Sequence, residues 1–134
     1  MPRFLRRGSQ LGLRADRRRR QELAVGAEQH LTALHDAIQE AFGWHDDHLY
    51  SFWLDGCFWG SNELGFTSTE VPDGGATADV PIAELGLAPG SKIAYIFDFG
   101  NEWRVLLTLS ERTEPDGDAL PRVLARVGRA PPQY

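Results

Sequence analysis

The chain has 134 residues, a formal net charge of −5, 42% hydrophobic and 25% charged residues. That is the size and composition of one ordinary globular domain able to bury a core without covalent staples. A single cysteine, Cys57, rules out an intramolecular disulfide framework and a cysteine-rich zinc site.

The charge is unevenly spread. Residues 1–20 hold eight arginines against Asp16, a net of +7, and the remainder carries −12. Residues 1–8 show no period and are expected to be a disordered basic N-terminus, with residues 9–134 forming the domain. No apolar stretch follows the arginines as a secretory signal would require, and no run is long enough to span a membrane, so a cytoplasmic protein is expected. If nucleic acid is bound at all, Arg14, Arg17, Arg18, Arg19 and Arg20 are the contacts, and binding is expected to be weak and non-specific.

From Ser9 to Val25 the alternation of Leu11 and Leu13, then of Leu23 and Val25, predicts a hairpin turning at Ala15-Asp16. Leu31, Leu34, Ile38, Ala41 and Phe42 follow helical spacing, and Gly43 stands where a left-handed cap belongs. Leu49–Leu54 reads as a strand, Asp55-Gly56 as a tight turn, and Cys57–Trp59 as the returning strand with Cys57 buried. Ser61–Asp79 reads as a long polar loop, and Pro81–Leu85 as a helical turn. Lys92–Phe97 and Glu102–Leu109 alternate as a strand pair joined by Asp98-Phe99-Gly100-Asn101, with positive φ expected at the glycine. Glu111–Asp118 reads as an acidic loop and Pro121–Val127 as a helical turn. Leu31, Leu34, Ile38 and Phe42 are expected to pack on Trp53, Tyr95, Phe97, Val105 and Leu107. One helix over strands on both sides of it in sequence implies an α+β layer.

Three ordered blocks carry a resemblance. Leu31–Trp44, LTALHDAIQEAFGW, runs into His48-Leu49 and Phe52; Tyr95-x-Phe97-Asp98-Phe99-Gly100-Asn101-x-Trp103 follows; Leu120–Val123 leads to Pro131-Pro132. Together they resemble the Ri-plasmid ORF-three-like family, which is associated with mobile genetic elements and has no agreed reaction. Asn101 stands where that family commonly has aspartate. The resemblance implies a β-grasp-like (ubiquitin-like) fold, with the main helix across a mixed sheet of four to six strands.

Two functions from different classes fit. The first is a non-catalytic interaction or scaffold domain with a protein partner. The second is a small metal-assisted hydrolase or nuclease-like enzyme using His45, His48 and Asp98, with His35, Asn101 and Glu102 nearby. The bland reading of these polar residues is structural: His35 half-buried and bonded to a group such as Asp98, Asp98 opening a turn, and Asp46-Asp47 in a solvated connection. No catalytic residue, cofactor or resident metal is assigned. Trp44, Trp53, Trp59 and Trp103 are expected to be core.

Overall fold

The computed structural model describes residues 9–18, 20–44, 48–60, 65–68, 76–114 and 119–127. Strands β1 (Gln10–Asp16) and β2 (Arg20–Gly26) precede helix α1 (Leu31–Phe42); β3 (Tyr50–Trp53), β4 (Gly65–Thr67), β5 (Lys92–Phe97), β6 (Trp103–Thr113) and β7 (Arg122–Val127) follow it. All seven strands form one sheet in the order β4-β3-β5-β6-β1-β2-β7, and every strand pair is antiparallel.

This corrects the expectation of an α+β layer of β-grasp type. Among the described residues the sheet is neither mixed nor limited to six strands, and a single α-helix, of twelve residues, accompanies it. The fold is dominated by its sheet. The error has a physical origin in three segments with poor alternation. Gly65–Thr67 lies within the expected loop, β6 extends to Thr113 through the expected acidic loop, and Arg122–Val127 is an edge strand where a helical turn was expected. Cys57–Trp59 forms no strand, and Cys57 is exposed. The first hairpin turns beyond Asp16, which pairs with Arg20. β1 is an interior strand between β2 and β6.

The helix buries Leu31, Leu34, Ala37, Ile38 and Ala41 against one face of the sheet, where they meet Leu13, Leu23, Val25, Tyr50, Phe52, Tyr95, Val105 and Leu107. Its opening N–H groups need partners that no side chain supplies. Leu31 donates to the Val80 carbonyl and Thr32 to Ala78, so the 76–82 segment serves as the cap. Gly43 closes the other end at φ 71°, as a left-handed cap requires. Trp53 does not join this core. It is one of a smaller cluster on the sheet's far face, with Ala94, Ile96, Phe58 and Phe99. No helix among the described residues is long and apolar enough to cross a membrane.

Candidate functional site

His35, Asp98 and Glu102 do not converge. His35 is buried in the helix-side core, its ring stacked on Tyr50 at 3.6 Å between centroids and its Nδ1 2.8 Å from the Tyr95 hydroxyl. Gln39 Nε2 also donates to that hydroxyl, at 3.1 Å. The partner of His35 is therefore Tyr95, not Asp98. The i, i+4 spacing of His35 and Gln39 places both over one residue of β5, a signal visible in the sequence but easily passed over without the strand register.

Asp98 opens the β5–β6 turn and does meet His48, Nε2 lying 3.8 Å from its carboxylate. Its stronger engagement is local. Asn101 donates its side-chain amide to Asp98 at 2.9 Å and its backbone N–H at 3.3 Å. Those hydrogen bonds, with the nearby His48 ring, hold the Asp98 carboxyl below its ordinary 3.8. Positive φ falls on Asp98 at 66° and Glu102 at 54°, not on Gly100. His45, Asp46 and Asp47 lie outside the described residues, as do Arg19, residues 1–8 and Pro131-Pro132. Among the described residues, no three His, Cys, Asp or Glu side chains gather as a metal-holding group.

The arginine run divides. Arg17 sets its guanidinium 4.5 Å from the Trp103 ring centroid and 5.8 Å from that of Trp44, which itself stacks on Phe97. Arg20 pairs with Asp16 across the hairpin at 3.2 Å, Arg14 is half-buried on β1, and Arg18 is exposed.

The concave feature that sequence reasoning missed lies on the far face. A cavity of about 220 Å³ is lined by Ser51, Trp53, Trp59, Gly60, Gly65, Thr67 and Phe99. Its shape follows from the register: Ser51 lies opposite Thr67, and Trp53 opposite Gly65, so small residues on β3 and β4 form a depression beside a tryptophan. Trp59 and Phe99 come over from two different turns. Trp59 packs 5.3 Å from both Trp53 and Phe99 between centroids, yet remains 46% exposed. Its backbone is left-handed at φ 56°. That conformation is uncommon for a bulky residue and persists only where its surroundings enforce it. In that position the Trp59 indole donates a hydrogen bond to Glu102. Arg104 donates to Glu102 at 2.8 Å, and the two donors, Arg104 first, hold the Glu102 carboxyl below its usual range. The same guanidinium lies 5.0 Å over Phe58. Of the left-handed residues, Trp59 lies in this aromatic surface and Glu102 is hydrogen-bonded to it.

The model of the family described as plasmid pRiA4b ORF-3-like protein matches residues 16–133. A curated relative, the uncharacterized protein y4hQ of Sinorhizobium fredii, is 32% identical over 108 residues. That alignment takes in 77% of this chain and 52% of the relative, so the chain spans about half that protein's length. Among solved structures, the crystal structure of the protein of unknown function MM3350 from Methanosarcina mazei Go1 superposes with a TM-score of 0.70 at 19% identity. The superposition covers 90% of this chain and 70% of that one, and at this identity the likeness concerns the fold alone.

Proposed function

The chain belongs to the plasmid pRiA4b ORF-3-like protein family, and from that premise we propose that it is a non-catalytic interaction domain whose contact surface is the far face of the sheet. The observation that carries this reading is Trp59. A large aromatic side chain left 46% exposed, and held there by a strained backbone and a hydrogen bond to Glu102, keeps apolar area in water that collapse would otherwise remove. Aromatic residues anchored in this way are what binding surfaces use, because little side-chain freedom remains to be lost on contact.

The plasmid named in the family's description supports an association with mobile genetic elements. The exposed thiol of Cys57 suits a reducing, cytoplasmic setting. Nucleic acid is at most a weak, salt-sensitive and non-specific ligand in this reading, because Arg17 already stacks over Trp103 of β6 and Arg20 pairs with Asp16 across the hairpin.

The test is selection from a random peptide display library against the wild-type chain, with counter-selection on a folded Trp59→Ser/Phe99→Ser variant. Peptides that bind the wild type and not the variant support the reading. Peptides that bind both equally would contradict it.

A further inference from the structure

The far-face cavity has a definite chemical character. Its walls are the π faces of Trp53, Trp59 and Phe99, negative at the ring face. At its floor, the Ser51 hydroxyl gives its hydrogen to the Phe66 carbonyl at 3.3 Å, which leaves lone pairs as what it offers a guest. Thr67 Oγ1 is buried there without a hydrogen-bond partner. At the rim, the Glu102 carboxylate accepts from the Trp59 indole, which raises the electron density of that ring. The chain as a whole carries −5, and Glu102, although paired with Arg104, keeps a carboxylate at this edge, so the field modestly favours cations over phosphate.

Aromatic faces, hydroxyl lone pairs and a net negative chain call for a guest that is flat, donor-rich and positively charged. A guanidinium has all three properties, since it is planar, stacks on aromatic rings and carries five N–H donors. The protein already satisfies two of its own arginines in this manner, Arg17 over Trp103 and Arg104 over Phe58. At about 220 Å³ the cavity is below the usual range for drug-sized ligands and suits one side chain. We infer that the far-face cavity is a recognition pocket for an arginine side chain presented by a basic peptide segment of a partner. This inference rests on the interaction-domain reading above and names the chemistry of its partner.

The experiment is a titration of the full chain with N-acetyl-L-argininamide, read by tryptophan fluorescence and by the indole N–H signals of the ¹⁵N-labelled protein. The uncharged analogues N-acetyl-citrullinamide and N-acetyl-phenylalaninamide are titrated alongside it. Saturable binding of the arginine probe is expected, with the citrulline probe weaker by ~tenfold, the scale of one desolvated cation–π contact. Trp59→Ala should abolish the saturation. The near-isosteric Thr67→Val should weaken it by roughly threefold while the urea midpoint stays close to that of the wild type. Equal or tighter binding of the phenylalanine probe would overturn the guanidinium assignment and leave the interaction-domain reading standing. No saturable response to any probe, from a wild-type chain confirmed folded by its far-UV spectrum, would overturn both.

Discussion

Tyr95→Phe removes one oxygen atom from the middle of the core and leaves its shape almost intact. Tyr95 is fully buried, and its hydroxyl serves both His35 Nδ1 and Gln39 Nε2, on residues that are 2% and 6% exposed. Water cannot replace the lost partner without opening the helix–sheet interface. Each of the two groups left short of a hydrogen bond costs about 1–3 kcal/mol, so a destabilisation of about 2–6 kcal/mol is expected with no cavity contribution. Gln39 Oε1 already lacks a partner, which leaves that amide little to fall back on. For a domain of this size the urea midpoint should fall by about 1–2 M at unchanged slope. The double variant Tyr95→Phe/His35→Phe should lose less than the sum of its single changes, since it removes both ends of one bond. A single-variant loss below about 0.5 kcal/mol would refute the idea that this buried network contributes to stability.

Three further outcomes are expected. Ile38→Ala, at a fully buried position on the helix, should cost about 2–5 kcal/mol in chemical denaturation, and an unchanged midpoint would refute the packing of α1 on the sheet. Arg17→Gln should lower stability by about 1 kcal/mol through loss of the guanidinium stack on Trp103, whereas exposed Arg18→Gln should change nothing measurable. Because the Asp98 carboxyl is held below its ordinary 3.8, the ionised group stabilises the fold above that pH, and its contribution is lost as pH falls through the lower folded value. The stability gap between wild type and Asp98→Asn should therefore be widest near neutrality and close in strong acid, and a gap that widens on acidification would refute the assignment.

The helix was legible because its apolar residues recur at helical spacing and Gly43 ends the pattern, both properties of the local chain. The central strands β5 and β6 were legible for the same kind of reason, through alternation of Ile93, Tyr95 and Phe97 and of Val105, Leu107 and Leu109. What escaped local reading depends on partners distant in sequence. Gly65–Thr67 is a strand because β3 lies beside it, and Arg122–Val127 because β2 does. Without those two edges, the expected elements fitted the β-grasp fold that the resemblance implied. Trp53 was assigned to the wrong face since both faces of β3 are apolar, and alternation then carries no sign. The far-face cavity was invisible for a related reason. It is assembled from β3, β4 and two turns, with backbone conformations at Trp59 and Glu102 that neither residue type announces. The histidine and aspartate cluster stood out by composition, yet His35 and Asp98 belong to separate hydrogen-bonded groups.

The most direct test of the central claim follows all four tryptophan indole signals of the full-length chain while an arginine-containing peptide from the display selection is added. Engagement of the far face predicts that the Trp59 and Trp53 signals move together and saturate at one equivalent, while those of Trp44 and Trp103, in the Phe97 stack on the helix side, stay in place. Saturating shifts at Trp44 and Trp103 with Trp59 unmoved would contradict it, because the partner would then occupy the opposite side of the sheet.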